Sequence, residues 1–296
     1  MTCKITPFYR AAHTGKNRFT LLSLSILFSS LAGGITPSLA QVNAQTNTDE
    51  PPIVVDSTLG DERSRLSTVG NRTNVTEGAQ RGTNLFHSFE RFNILDRQQS
   101  VYFMPDENIE NILTRVVGSD PSNILGTLGV DRASSANLWL INPNGIVFGE
   151  NARLDINGSF YATTASAIPM GTGTFNAVLP QNGQLLSVPP EASFANYLTA
   201  DAGEIVSRGR LSNRSARANG SANSSAETTL TLAGSSITLE AGLNLGSDRA
   251  LSLFANNNIE TQGLIAKGAN IDLTSANGAI TVEGVISTNA AGEANA

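Results

Sequence analysis

The chain has a single cysteine, Cys3, in 296 residues, so no disulfide can form within it. Charged residues make up 15 % and aromatics 6 % of the sequence, and long apolar stripes with a helical period are absent. That composition excludes a helical bundle or coiled coil. Lysine is almost missing: Lys4 and Lys16 lie near the start and Lys267 near the end. Carboxylates are scattered. Asp131, Glu150, Asp155 and Glu204 each stand alone, and the adjacent pairs Asp61-Glu62 and Asp106-Glu107 fall in expected turns. No repeated position gathers two or three of them beside an arginine, as carboxylate catalysis on a β scaffold requires.

The first 40 residues read as an address rather than a fold. Lys4, Arg10, Lys16 and Arg18 form a basic start, Phe19 to Leu31 an apolar stretch mixed with serine, and Ser38-Leu39-Ala40 a small-residue cleavage signal. Cleavage is expected between Ala40 and Gln41. Phe19 to Leu31 is too short and too polar to span about 30 Å of hydrocarbon. All four charges of this segment are basic, so of 19 Lys and Arg 15 remain against 25 Asp and Glu, a formal charge of −10. Nucleic acid and anionic membrane surfaces are therefore poor partners. Cys3 leaves with the segment.

Glycine (27 residues in the whole chain), asparagine, threonine and other small residues are plentiful, and short β-type runs punctuated by them recur through the remainder. Residues 41–52 form a polar lead-in ending in Pro51-Pro52. Strands are expected at Ile53-Val54-Val55, Val101 to Met104 and Ile112 to Val117, with turns at Asp106 to Asn111 and Ser119 to Ser122. Asn84 to Phe92 groups Leu85, Phe86, Phe89 and Phe92, read as an aromatic plug over the end of the core. His87, the one histidine after the leader, is read there as packing rather than catalysis. Residues 166–211 are broken by Pro169, Gly171, Gly173, Pro180 and Pro189-Pro190 into an excursion. Residues 212–228 read as a Ser/Asn/Ala/Arg linker.

A repeat follows from 229 to 296. Gly242-Leu243, Gly263-Leu264 and Gly284-Val285 recur every 21 residues, Leu230 and Leu232 recur at Leu251 and Leu253, and Ile271 and Leu273 follow after 20. A period near 20 with β content suits one coil of a parallel β-helix. Leucine-rich repeats would need a fixed asparagine and leucine scaffold that is absent, and calcium nonapeptide repeats would need Gly-Gly-x-Gly-x-Asp. Asn256-Asn257-Asn258 and Asn277-Gly278 are placed to stack as amide ladders.

The centre of the chain is Asn142-Pro143-Asn144-Gly145, the residue chemistry of a type I β-turn. Before it, Leu138-Trp139-Leu140-Ile141 is a continuous apolar run, as in a strand buried on both faces, so Trp139 is expected to be buried. After it, Ile146, Phe148, Ala152, Leu154, Ile156 and Phe160 keep period two around a turn at Gly149-Glu150-Asn151.

The tetrad with Ile146, preceded by Arg115-Val116-Val117-Gly118 and Pro121-Ser122-Asn123-Ile124-Leu125-Gly126, resembles the N-terminal secretion domain of filamentous-haemagglutinin-type proteins, the exported partners of two-partner secretion. Asn84-Leu85-Phe86-His87-Ser88-Phe89, followed by Phe92-Asn93, resembles the form found in cyanobacterial members. The resemblance covers roughly residues 53–165. Asn-Pro-Asn occurs once here, where many members carry a second, NPNL-type motif. The resemblance implies an all-β, right-handed parallel β-helix with an N-terminal cap and extra-helical excursions. It also implies a secretion domain over 41–211 followed by coils. The implied partner is an outer-membrane β-barrel transporter with periplasmic recognition repeats, with export through the periplasm to the cell surface or medium. An adhesin directed at a cell-surface or carbohydrate target follows from the same likeness. No cofactor, metal or catalytic residue is expected. The rival classes are a secreted β-helix carbohydrate-active enzyme, disfavoured by the scattered carboxylates, and a stand-alone binding module without a transporter.

Overall fold

The computed structural model describes residues 3–7, 50–178, 185–213, 228–247, 249–267 and 270–288. The leader's apolar stretch, the Ala40–Gln41 cleavage site and most of the linker, 214–227, lie outside the described residues.

The chain winds as a parallel β-helix with three faces. Each coil contributes a strand to a main sheet, turns a corner into a second sheet, turns again into a third, and returns. The main sheet stacks Asn84–Phe92, Asn111–Val116, Asn137–Ile141, Phe160–Thr163, Thr228–Gly234, Arg249–Ala255 and Ile271–Ser275, all parallel. The second face runs Ser122–Ile124, Ile146–Phe148, Ile205–Ser207, Ile237–Leu239, Ile259–Thr261 and Ile280–Val282. The third runs Ser100–Phe103, Thr127–Val130, Arg153–Asp155 and Ser212–Asn213. It continues through a Leu211–Leu243 bridge into Leu243–Ser247, Leu264–Lys267 and Ile286–Ser287. Backbone bonds thus run along the axis, and each coil satisfies the polar edge of the one before it.

The N-terminal end is closed by antiparallel pairing. Ile53–Val55 and Ala79–Arg81 both pair with Asn84–Phe92, and the hairpin Ser64–Val69/Arg72–Glu77 extends the third face. These strands occupy edges that a parallel coil would otherwise leave open. At the far end, Cys3–Pro7 pairs in parallel with Ile271–Ser275.

Two apolar clusters result. Inside the tube lie Phe89, Ile112, Leu138, Leu140, Ile146, Phe148, Phe160 and, further along, Leu230, Leu251 and Leu273. Outside the main sheet lies a second cluster of Phe86, Leu113, Trp139, Ile141, Ile168, Met170, Phe175 and Phe194. Its lid is the excursion: a hairpin, Ala167–Met170/Gly173–Asn176, and, on the return, residues 185–203. Coverage on both faces explains why Leu138 to Ile141 is apolar without a break: even-numbered residues face the tube and odd ones the lid.

Asn84–Phe92 is not a plug over the end of the core, as its aromatic density suggested. It is the first-coil strand of the main sheet, and its aromatics divide: Phe89 and Phe92 enter the tube while Phe86 meets Phe175 edge-on at 5.0 Å under the lid. The linker expected at 212–228 is interrupted at its ends, because Ser212–Asn213 and Thr228–Gly234 are strands of consecutive coils. The glycine repeat also shifts. Leu243, Leu264 and Ile286 stand in register, so Gly242 and Gly263 are equivalent but the third position is Val285, and Gly284 precedes it by one. The leucines keep register across Leu230–Leu251–Ile271 and Leu232–Leu253–Leu273.

Candidate functional site: a turn held between three coils

Asn142 to Ile146 forms the corner between the main sheet and the second face. The Gly145 amide donates to the Asn142 carbonyl at 3.1 Å, closing the β-turn. Asn142 Oδ1 accepts from the Asn144 amide at 3.0 Å and from Asn144 Nδ2 at 3.2 Å. This is the local bond that makes asparagine a turn opener. Gly145 sits at φ 124°, a region that strains any residue with a Cβ.

Neighbouring coils grip this turn from both sides. Towards the preceding coil, Asn142 Nδ2 donates to the Asp120 carbonyl and to Ser122 Oγ, both at 3.0 Å, and Asn144 Nδ2 donates to the Gly118 carbonyl at 2.7 Å. The Ser122 amide donates to the Gly145 carbonyl at 3.0 Å. Towards the following coil, the Gly203 amide donates to the Pro143 carbonyl at 2.7 Å and the Ile146 amide to the Glu204 carbonyl at 3.0 Å. Asn142 is fully buried, with both ends of its amide bonded, and Ile146 is in the tube core. Pro143 is half-buried and Asn144 exposed, so they are the outward part of the tetrad.

The upstream segment is interior throughout. Asn84, Leu85, Phe86, His87, Ser88 and Phe89 are all buried. Asn84 Nδ2 donates to the carbonyls of Leu186 (3.0 Å) and Val188 (2.7 Å), pinning the excursion, while its Oδ1 accepts from Asn111 Nδ2 at 3.1 Å. His87 Nδ1 lies 2.7 Å from Ser64 Oγ, and its ring packs between Phe89 and Phe103. Burial alone pulls its pKa down to about 3, so the ring is neutral. Ser88 Oγ bonds the Asp56 carboxylate and accepts from Arg115 Nε at 2.8 Å.

Arg115 and an asparagine ladder carry roles that residue type alone did not expose. Arg115 is buried across the strand from Ser88, its guanidinium 4.8 Å from the Phe175 ring. It donates to Thr58 Oγ1 and to the Asn176 carbonyl, both at 2.7 Å, so it ties the cap to the excursion. Burial lowers its pKa and the nearby Asp56 raises it. Asn137 Nδ2 donates to Asn111 Oδ1 at 3.0 Å, extending Asn84–Asn111–Asn137 up three coils, and Asn137 Oδ1 accepts from the Ser159 amide at 2.9 Å. The steps are 27, 26 and 22 residues, too unequal to register as a repeat. The ladder expected near the C-terminus is present at one rung, Asn277 Nδ2 to Asn256 Oδ1 at 2.8 Å.

A capped, three-faced parallel β-helix with an extra-helical lid and a rigid polar corner is the class that these elements define. The sequence model of the family described as the TPS secretion domain matches residues 52–295. The chain therefore belongs to the TPS secretion domain family. Among solved structures, the HMW1 secretion domain from Haemophilus influenzae is similar at 19 % identity and a TM-score of 0.44, over 76 % of this chain and 64 % of that one. The filamentous hemagglutinin secretion domain is similar at 15 % identity and a TM-score of 0.38, over 81 % of this chain and all of that one. No curated protein matches.

Proposed function

We propose that this chain is the exported partner of a two-partner-secretion pair. Its capped β-helix directs it to an outer-membrane β-barrel transporter with periplasmic recognition repeats, and the corner around Asn144 is the surface that the transporter meets. The leader expected over residues 1–40 sends the chain to the periplasm, and the folded product is secreted or held at the cell surface. There it serves as an adhesin for a cell-surface or carbohydrate target. The observation that carries the transporter reading is the division of labour in the tetrad. Asn142 and Gly145 are buried and fix the turn, while Pro143 and Asn144 are held outward by neighbours on both sides.

The test is secretion and thermal melting of Asn142→Ala/Asn144→Ala beside wild type, in a Gram-negative host carrying the cognate barrel. Secretion should fall further than stability does, the latter dropping by about 1–3 kcal/mol from unsatisfied buried partners. Normal secretion of the double variant would make the tetrad dispensable. Secretion without any barrel would favour a stand-alone binding module.

A further inference from the structure

We propose that Gly203 is a positioning residue for the Asn142–Ile146 turn, acting across the excursion to hold Asn144 outward. The inference rests on the reading of that turn as the transporter-facing corner. Gly203 is remote in sequence and belongs to no motif that the chain displays. In space it is the point where the excursion rejoins the helix, directly against the turn. A Cβ at Gly203 would overlap the carbonyl carbon and oxygen of Asn144 and the amide nitrogen of Gly145. The requirement is for space, because the φ of Gly203 lies outside the left-handed region. With no side chain there, the Gly203 amide reaches the Pro143 carbonyl at 2.7 Å, and the next residue, Glu204, offers its carbonyl to Ile146 at 3.0 Å.

Gly203 is itself held from the following coil. Its carbonyl accepts from the Ser235 amide at 3.2 Å and from Ser235 Oγ at 2.8 Å. The tetrad is therefore not a free-standing β-turn. Its outward face is completed only after the excursion, residues 164–202, has folded and returned, and a fourth coil has locked the return. Local turn chemistry at Asn142 and Pro143 can start the bend, but these cross-coil bonds set its final position.

Gly209 supplies a matched control. It lies at another corner, where a Cβ would overlap the backbone of Glu150 in the same manner without touching the tetrad. In the full chain, Gly203→Ala and Gly209→Ala are compared by melting, by amide hydrogen exchange at Gly145 and Ile146, and by secretion with the cognate barrel. Both variants should lose stability. Only Gly203→Ala should speed exchange at Gly145 and Ile146, by roughly tenfold or more, as local opening of the turn becomes easier. Its secretion should fall below that of Gly209→Ala at matched melting temperature.

Equal exchange at those two amides in both variants would overturn the positioning role. Faster exchange with secretion that merely follows melting would leave Gly203 as the positioning residue and remove the corner as the transporter's contact. Should Gly203→Ala fail to accumulate, Ser235→Ala loosens the same carbonyl without a clash. It should speed exchange at Ile146 and Gly145 to a lesser degree, and wild-type exchange there would overturn the inference.

Discussion

The coils before the excursion and those after it obey the same geometry and use different materials. Both parts of the tube pack aliphatic side chains, but its aromatics, Phe89, Phe92, Phe103, Phe148 and Phe160, all lie between Asn84 and Thr163, and from Thr228 onward its buried residues are leucine, isoleucine and alanine. Main-sheet strands of the first group are buried on both faces, as in Asn111–Val116, whereas Arg249–Ala255 alternates between buried and half-buried residues. The cause is the lid. Its cluster reaches Ala233 and half-covers Phe254, and beyond that the outer face of the sheet meets solvent. Corners differ as well: on the return from the third face to the main sheet, 104–110 and 131–136 are long loops, whereas the later strands Leu243–Ser247 and Arg249–Ala255 are one residue apart. The later coils are a near-repeat held by stacking, with buried Arg249 reaching back to the carbonyls of Ile156 at 2.7 Å and Gly158 at 3.1 Å. The earlier ones are also fastened sideways, through Arg115 and Asn84 to the excursion. The candidate corner lies in the fastened part, where three coils and a distant return converge.

Four measurements would break or sharpen that contrast. The largest effect is expected from Phe160→Ala, which empties a fully buried site inside the tube and should cost about 3–5 kcal/mol in chemical denaturation. Leu251→Ala, equally buried among the aliphatic coils, should cost about 2–5 kcal/mol and unfold the later coils first, as loss of exchange protection confined to residues after 228 would reveal. Identical protection profiles for the two variants would mean that the coils unfold as one unit.

The second measurement uses pH. His87 is held neutral with its pKa lowered to about 3 by burial, whereas in the unfolded chain it titrates near 6.5. Between those values the unfolded state binds the extra proton. The stabilisation from a neutral His87 is therefore complete above about pH 6.5 and lost progressively as pH falls towards 3, at roughly 1.4 kcal/mol per pH unit. The charged residues on the adjoining hairpin, Arg65 and Glu77, pair with each other at the surface, and Arg72 lies over Tyr102. His87→Gln should remove this slope, measured as the difference from wild type across the acid range. An unchanged slope would place the acid sensitivity elsewhere. No such term is expected from the later coils, which contain no histidine.

Asparagine ladders give the third comparison. Asn111 is buried between Asn84 and Asn137, so Asn111→Ala should lower stability by about 1–3 kcal/mol by orphaning both neighbours. Asn277 is exposed, and Asn277→Ala should change stability by no more than about 0.5 kcal/mol. Equal losses in thermal melting would show that stacking, not burial, sets the worth of a ladder rung. The smallest effect is spectroscopic. Trp139, stacked on Tyr161 at 3.7 Å beneath the lid, should emit to the blue in the folded protein and shift red on unfolding. Red emission in buffer would mean that the lid is open.

Much of this was legible in the residues. Asn-Pro-Asn-Gly with period-two apolar residues after it specified a turn and a half-buried strand, because both signals are local: a φ preference, a side-chain-to-backbone bond and an alternation. Leu230, Leu251 and Ile271 announced stacked coils because tight corners keep the period nearly constant. The ladder Asn84–Asn111–Asn137 leaves no periodic mark in the sequence because long corners make its steps unequal. The third glycine of the later repeat misled by one residue, since a single insertion in a corner shifts the register without changing the pattern of residue types.

What the sequence determined by itself was the β-helix, the turn at Asn142 and the burial of Trp139. The helix follows from a period near 20 residues with β content, the turn from local residue chemistry, and the burial of Trp139 from an unbroken apolar run. Tertiary structure alone decided that Asn84 to Phe89 is interior, that Arg115 fastens cap to lid, and that Asn142 is scaffold while Asn144 faces outward. It alone brought Gly203 against the tetrad. Each of these depends on which coil lies above and below and on where a long excursion returns, and hydrogen bonds between coils carry no mark in the local sequence of either partner.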